Sequence, residues 1–290
     1  MKKIVTHNGR FHADDIFAIA TLLLVYPDAE IIRSRNKEII KSADIVVDVG
    51  FVYDPKIKRF DHHQPGGAGA RDIGIPYAAF GLVWKEWGTD IAGKDEALLI
   101  DKQLVCPVDA HDNGVSITEN KFPEIREYTI SDFFSSYLDI DEIDEKNLLQ
   151  IFFKGVEVAQ TLLRREIKMA QKEISGMKIV RDIFDKTEDK RIILLEKDLP
   201  WYRVLTPELE TLYVIYPRKE ETWGVRAVPK NLIGFELKKP FPQSWGGRDA
   251  DELAKITGVA DAVFCHNKLF VCSAKSQEGA LALAEIALNA

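Results

Sequence analysis

The chain has 290 residues, of which 46% are hydrophobic and 29% charged, with a formal net charge of −7. This composition is that of an ordinary globular protein, and the length favours two domains over one small core. The whole acidic excess lies in residues 1–177, because residues 178–290 carry equal numbers of acidic and basic side chains. This balance argues against a protein that grips long duplex nucleic acid, which needs a basic face.

The sequence has no apolar run long enough to span a membrane, since the longest extends only from Ile16 to Tyr26. Its first residues do not resemble a signal peptide. Its three cysteines are odd in number and lack metal-binding spacing. We therefore expect a cytoplasmic protein with reduced cysteines and no membrane contact.

Apolar strands alternate with helical patterns at the start of the chain. A buried helix is predicted over Ala13–Tyr26, closed by Pro27. The predicted strands are Lys3–Thr6, Glu30–Arg33 and Ala43–Gly50. This alternation predicts an α/β fold whose N-terminal domain has a mainly parallel sheet. Ligands bind beyond the carboxyl ends of such strands, which is where His7 and Asp48 fall.

The segment after the third strand contains adjacent histidines behind a carboxylate. Phe51–Tyr53 and Ile57–Phe60 predict a hairpin that returns Asp61, His62 and His63 to the strand ends. Imidazole and carboxylate together suit a divalent ion such as Mn²⁺, Zn²⁺ or Fe²⁺. The glycine-rich residues 65–70 predict a mobile loop, serving either as a linker or as a lid beside the site.

Helical patterns dominate the middle of the chain. Helices are predicted from Pro76 to Trp87, ended by Gly88, and over Lys94–Leu104. Apolar residues then recur in steps of three and four from residue 144 to 175, which predicts one long amphipathic helix capped by Gly176. We interpret it as a connector between domains and leave open a homodimer interface along it.

Short strands follow, and they predict a smaller α+β domain closed by a helix over Gln277–Leu288. The predicted strands are Lys178–Arg181, Ile192–Glu196, Leu212–Tyr216, Trp223–Val228, Ala262–Cys265 and Leu269–Cys272. The resulting domain organisation is residues 1–143, a connector helix over 144–176, and residues 177–290.

Six side chains from four separate segments form a candidate ligand set. Each has another interpretation alone; Asp14 suits a helix cap, for example, and Asp48 a turn. Together they favour a pair of divalent ions about 3.5–4 Å apart, the arrangement used in phosphoryl displacement. The candidate metal ligands are His7, His12, Asp14, Asp48, His62 and Asp109.

Several segments resemble signature blocks of the melanocyte-proliferating-gene-product family, within the DHH phosphoesterase superfamily. They are Thr6–Asp15, Asp48–Gly50, Lys58–Gln64, Val108–Gly114, Tyr213–Pro217 and Trp245–Arg248. The resemblance implies a DHH-type N-terminal domain with two divalent ions, usually Mn²⁺, and a C-terminal substrate-binding domain. Mg²⁺, Zn²⁺ and Fe²⁺ are the alternatives. Members are described as metal-dependent hydrolases, with 3′–5′ RNA exonuclease activity attributed to eukaryotic ones.

The resemblance also implies individual roles. His7, Asp14, His62 and Asp109 match metal ligands, Asp48 matches a bridging carboxylate, His63 would face the phosphate, and Asp61 would orient an imidazole. His12 stands where most DHH proteins have an aspartate, and its spacing from His7 is one residue longer. The departure leaves the identity of the ion open.

In the C-terminal domain, the block Trp245–Arg248 offers an aromatic ring, close backbone approach at Gly246 and Gly247, and the forked cation of Arg248. These residues are candidates for substrate binding, as is His266 in a predicted hairpin turn. In both cases the alternative interpretation is a solvent-exposed turn with no role in substrate binding.

The function predicted from the sequence is a metal-dependent phosphodiesterase, a 3′–5′ exonuclease on RNA or short oligonucleotides that uses a two-metal activated water. Hydrolysis of a small phosphoanhydride or cyclic dinucleotide on the same centre is one alternative. A non-catalytic metal- or nucleotide-binding module is the other.

Overall fold

The computed structural model of the protein describes residues 1–138, 145–219 and 221–290. The chain divides into two compact units, Met1–Gln171 and Lys172–Ala290. Each unit contains a five-stranded mixed sheet with helices, so the fold is α/β.

The sheet of the first unit is mainly parallel. Its strands are β1 (Lys3–Thr6), β2 (Glu30–Arg33), β3 (Ile45–Val47), β4 (Tyr53–Asp54) and β5 (Arg59–Phe60). They lie in the order β2-β1-β3-β5-β4, and the pairing of β4 with β5 is antiparallel. The alternating pattern and the hairpin after β3 are therefore confirmed. Because β1, β3 and β5 run in the same direction, the residues that follow them meet at one edge.

The helices of the first unit include one that is almost entirely apolar. They are α1 (Ala13–Val25), α2 (Lys37–Ser42), α3 (Ala79–Ala92), α4 (Lys94–Ile100), α5 (Cys106–Asp112), α6 (Ile130–Ser135) and the first part of α7 (Glu145–Lys186). The helix α1 is apolar on nearly every side and is buried from Ala13 to Leu22. Its Phe17 stacks on Phe80 of α3 with ring centroids 5.0 Å apart. This packing places the start of α1 next to the start of α3.

Two helix ends differ from the sequence prediction. The helix α3 begins at Ala79 rather than Pro76 and continues past Gly88 to Ala92. Gly88 lies inside the helix instead of ending it. Glycine is needed there because a Cβ would collide with the Trp84 ring. The next helix does not stop at Leu104, because a π-helical stretch from Asp101 to Val105 joins α4 to α5.

The helix α7 is longer than predicted, since it runs through Gly176 to Lys186. The predicted cap at Gly176 and the predicted strand Lys178–Arg181 are both wrong. Gly176 lies against the Pro200 ring, which leaves no space for a Cβ, so its role is close packing rather than termination. Val180 and Phe184 extend the apolar stripe into a core of the second unit. The predicted helix start and the predicted domain limit at residue 143 lie outside the described residues.

The second unit has a mixed sheet covered by helices. Its strands are β6 (Ile192–Leu194), β7 (Tyr213–Pro217), β8 (Trp223–Ala227), β9 (Ala262–Cys265) and β10 (Val271–Ala274), and its helices are α8 (Tyr202–Leu205), α9 (Ala250–Thr257) and α10 (Gln277–Asn289). The strand order is β6-β7-β8-β10-β9, with β6 and β7 parallel and the other pairs antiparallel. The buried Leu283 of α10 packs with Val225 and Tyr213 in one core. Among the described residues, no helix is both long and apolar enough to cross a bilayer.

Candidate metal centre

Polar side chains converge where three parallel strands of the first unit end. His7 follows β1, Asp48 follows β3, and His62 and His63 follow β5. His7 and Asp48 are almost fully buried, and His62 is 9% exposed. Buried ionisable groups are costly unless they are paired or coordinate an ion. The sequence prediction that these residues lie together at one edge is thus matched by their positions.

Asp48 stands at the centre of this group. Its Oδ2 lies 3.3 Å from Nε2 of His7, and its Oδ1 lies 3.3 Å from Nε2 of His62. Its backbone φ is 55°, in the left-handed region that non-glycine residues other than Asn and Asp rarely adopt. The turn after β3 therefore holds Asp48 in an unusual backbone conformation that presents its carboxylate to histidines on both sides.

The start of α1 supplies a second group of side chains. The backbone N–H of His12 donates to Oδ1 of Asp15 at 2.7 Å, and Oδ2 of Asp15 lies 3.3 Å from Nε2 of His7. Next to it, the carboxylate of Asp14 accepts the backbone N–H groups of Ala79 and Phe80 at the start of α3. These contacts fix the acidic start of α1 beside the strand ends.

The helix α5 places Asp112 against His62, whereas the predicted ligand Asp109 has other partners. Oδ2 of Asp112 lies 3.2 Å from Nε2 of His62. Asp109 instead accepts hydrogen bonds from Arg71 at 2.7 Å and from the backbone N–H of Gly81 at 2.9 Å. A Cβ at Gly81 would collide with the Asp109 carboxylate, so glycine is required there.

The two adjacent histidines have different surroundings. The Nδ1 atom of His63 lies 2.8 Å from Oδ1 of Asp61, whose Oδ2 accepts the backbone N–H of Phe51. Asp61 is buried, while the side chain of His63 is 52% exposed. Asp61 therefore orients a partly exposed imidazole, and its carboxylate is itself held by the backbone.

The atoms of this cluster match the requirements of divalent ions. Three overlapping sets have ligand atoms within 4.8 Å of one another: His7, His12 and Asp48; Asp48, His62 and His63; and Asp14, His62 and Asp112. Within the described ranges, the buried atoms Oδ2 of Asp15, Oδ1 of Asp48 and Nε2 of His62 have no hydrogen-bond partner. Nitrogen and oxygen donors in this arrangement fit Mn²⁺, Fe²⁺, Zn²⁺ and Mg²⁺.

Charge coupling shifts the pKa values of this cluster. Burial lowers the pKa of His62, but Asp112 and Asp48 outweigh burial and raise it to about 11. Burial also opposes protonation of His7, whose pKa is raised overall by Asp48 and Asp15. Burial raises the pKa of Asp48, yet His62 and His7 bring it below its ordinary range. Protons on the imidazoles thus balance part of the buried negative charge, a place that metal ions can take.

The candidate substrate residues of the second unit lie in a different setting. Arg248 is exposed, precedes α9, and pairs at 3.0 Å with Glu252 in the first turn of that helix. Gly246 packs against Leu269, and Gly247 has a φ of 75° that favours glycine. Trp245 is buried and stacks on Phe241, so it does not offer the exposed stacking surface expected from the sequence.

Sequence reasoning missed Arg71, which anchors the glycine-rich loop. Its guanidinium donates two hydrogen bonds to Asp101, at 2.9 and 2.6 Å, and one to Asp109. It also lies 4.4 Å from the centroid of the Tyr77 ring. In the sequence Arg71 only follows a run of glycines, and nothing there indicates that it forms a buried ion pair. The expected mobile loop is therefore tied to the π-helical stretch and to α5.

These observations define the first unit as an α/β domain with a His- and Asp-rich cluster suited to divalent ions. A model of the uncharacterised protein family UPF0160, the MYG1 exonuclease family, matches residues 3–288. The chain belongs to this family, and the resemblance seen in the sequence blocks is confirmed.

Relatives match nearly the whole chain. A MYG1 protein of Schizosaccharomyces pombe is 28% identical, over 99% of this chain and 97% of that protein. The MYG1 exonuclease of Homo sapiens is 29% identical over 99% of this chain and 85% of its own length. A MYG1 protein of Chlamydia trachomatis is 29% identical over 96% and 93%.

One solved structure was also similar, that of RecJ from Thermus thermophilus in complex with Mn²⁺. The match covers all of this chain and 52% of the RecJ chain, with 13% identity and a TM-score of 0.30. A likeness at that level carries no argument about fold or chemistry.

Replacing Arg71 tests whether the buried pair holds this part of the fold. We expect Arg71→Gln to lower the free energy of unfolding by about 3–5 kcal/mol, because it leaves Asp109 buried without its cation. Adding Asp109→Asn should recover part of the loss. Urea denaturation measures both, with Arg126→Gln, which breaks an exposed pair with Asp132, as the control. A loss from Arg71→Gln no larger than that of the control would contradict the assignment.

The raised pKa values of His7 and His62 predict that metal binding expels protons. A divalent ion needs the free ring nitrogens, whose pKa values lie above the ordinary 6.5, so its apparent affinity should keep rising with pH above 6.5, toward the pKa of His62 at about 11. Titration calorimetry with Mn²⁺ in buffers of different ionisation enthalpy counts the protons released. A binding enthalpy that is the same in every buffer would show that the metal does not displace protons from the imidazoles.

Proposed function

We propose that this chain is a phosphodiesterase that hydrolyses RNA or short oligonucleotides from an end, using two divalent ions. That it is an enzyme of the metal-dependent hydrolase class follows from its family, whose members with nearly full-length similarity include proteins named exonucleases. The observation that supports the two-ion centre best is the position of Asp48 between two imidazoles, each belonging to its own set of candidate ligands.

The proposed ligand sets follow the distances. One ion would be held by His7, His12 and Asp48, and the other by Asp14, His62 and Asp112 with Asp48 as the bridge. We place Asp112 in the set instead of Asp109, because Asp109 is neutralised by Arg71. When bound, such ions supply Lewis acidity, activation of a water and neutralisation of phosphate charge.

His63 would act on the phosphate group. Its Nδ1 is occupied by Asp61, which leaves Nε2 as the ring nitrogen for a substrate oxygen. The hydrogen bond to Asp61 raises the pKa of His63, and burial opposes this rise only in part. A protonated imidazole donates to a non-bridging phosphate oxygen and stabilises the charge that develops there. Asp61 thus positions the ring, and His63 is the group that touches the substrate.

Several finer predictions remain for experiment. The sequence predicts Mn²⁺ as the resident ion, 3′–5′ polarity and a cytoplasmic location, and it leaves open RNA or DNA as the substrate and a homodimer. Comparing Mn²⁺-dependent cleavage of an oligoribonucleotide, a cyclic dinucleotide and pyrophosphate separates the nuclease from the two small-substrate hydrolases. Turnover of none of these would favour the non-catalytic binding module.

Asp48→Asn tests the two-ion centre. The amide keeps the shape of the side chain but removes the charge that two cations would share, so Mn²⁺ content and hydrolysis should both collapse. Elemental analysis and an oligonucleotide assay measure them, with Asp54→Asn on β4 of the same sheet as the matched control. Full activity with unchanged metal stoichiometry in Asp48→Asn would contradict the proposal.

The adjacent histidines should separate metal binding from turnover. His62→Ala is expected to lower metal occupancy, because His62 belongs to two of the candidate sets. His63→Ala should keep the metal and lose turnover, although His63 also lies near Asp48. Equal metal loss in both variants would make His63 a ligand instead of a phosphate contact.

Arg248 tests the substrate role of the second unit. We expect Arg248→Ala to spare metal content and to lower catalytic efficiency on oligonucleotides roughly ten- to a hundredfold, by losing a charge-assisted contact. Hydrolysis of a small activated phosphodiester should change far less. Arg248→Lys should recover only part, because an ammonium cannot reproduce the guanidinium fork. If oligonucleotide cleavage by Arg248→Ala equals that of the wild type, the residue belongs to an ordinary surface turn.

A further inference from the structure

The second unit contains a cavity of about 510 Å³ whose lining residues all belong to that unit. It lies between strand β8, the loop of residues 229–237 and the turn that joins β9 to β10. Small-molecule sites have volumes of roughly 300–1,000 Å³, so the cavity can take one nucleotide-sized ligand. Its walls combine basic side chains with aromatic rings.

The basic side chains make the cavity a site for an anion. Arg226, His266 and Lys268 line it, and no Asp or Glu does so among the described residues. The guanidinium of Arg226 lies 4.9 Å from the centroid of the Phe270 ring and forms no ion pair in the described part of the chain. Arginine held over a ring without a carboxylate partner is available to bind phosphate oxygens.

The turn between β9 and β10 holds the other two basic residues in place. The backbone N–H of Lys268 donates to Nδ1 of His266 at 3.1 Å, which leaves Nε2 of that ring for a ligand. The His266 ring lies 4.4 Å from the Phe270 ring, centroid to centroid. Phe270 therefore serves as a common support for Arg226 and His266.

An aromatic ring at the rim has no packing role. Phe235 lines the cavity and is 98% exposed, although burial of a phenyl ring is favourable. Its loop is ordered by the backbone bond from Lys230 N–H to the Glu236 carbonyl, by the ion pair of the same two side chains, and by pairing of Pro229 with Leu237. A loop that is closed by these contacts and holds an exposed ring beside basic residues suits stacking on a planar base.

We propose that this cavity binds a nucleotide, with its base against Phe235 and its phosphate held by Arg226, His266 and Lys268. The proposal rests on the proposed function for the choice of nucleic acid as ligand, but none of its contacts involves a metal ligand. The nucleotide is either free or part of a single strand, and the two sources share the same base and phosphate chemistry.

The test is equilibrium binding of adenosine 5′-monophosphate to the full chain in EDTA. Arg226→Ala should weaken binding about ten- to a hundredfold and Arg226→Lys less, because a point charge retains part of the contact. Phe235→Ala should weaken it about five- to a hundredfold through lost stacking. Controls are Arg191→Ala and Leu209→Ala, exposed residues of the same unit outside the cavity.

Three results would overturn the proposal: no binding by the wild type, unchanged affinity in Arg226→Ala and Phe235→Ala, or adenosine binding as tightly as its monophosphate. Near-ultraviolet circular dichroism confirms that the variants are folded. A five-residue oligoadenylate that binds more tightly than the monophosphate assigns the cavity to a strand, and weaker binding assigns it to a free nucleotide. Because Asp48→Asn should bind the monophosphate normally while losing hydrolysis, failure of the metal centre and failure of the cavity are distinguishable.

Discussion

The structure of the first unit depends on burying carboxylates and imidazoles together at one edge of a sheet. Asp48, at the end of β3, is the shared neighbour of His7 and His62, each 3.3 Å away. Separately these groups would be expensive to bury, and together they balance one another only while the imidazoles keep their protons. Divalent ions can supply the same charge balance, and unlike protons they can also act on a phosphate group. The fold of this edge is thereby linked to its chemistry.

The rest of the unit holds this edge in place through acids used as structural anchors. Asp14 accepts the first free N–H groups of α3, and Asp109 accepts the N–H of Gly81 one residue further on. Arg71 then joins Asp109 to the glycine-rich loop that follows His63. Stability and site geometry thus depend on the same contacts, so changes at Arg71 are expected to reach both.

Much of this arrangement could be predicted from the sequence, because strand direction alone places His7, Asp48 and His62 at one edge. The choice between Asp109 and Asp112 could not, since residues three apart lie on neighbouring positions of a helix and both point roughly one way. The deciding feature is Arg71, which reaches α5 from a loop 38 residues earlier in the chain. Gly176 misled for a similar reason, because a glycine needed for packing looks the same in sequence as a helix cap.

The central claim is that Asp48 bridges two divalent ions. Anomalous diffraction from crystals of the full chain grown with Mn²⁺ tests it most directly, because the signal locates the ions themselves. The account predicts two peaks about 3.5–4 Å apart on either side of the Asp48 carboxylate. One peak should lie against His7 and His12, and the other against His62 and Asp112. A single peak, or peaks that leave Asp48 without contact, would contradict it.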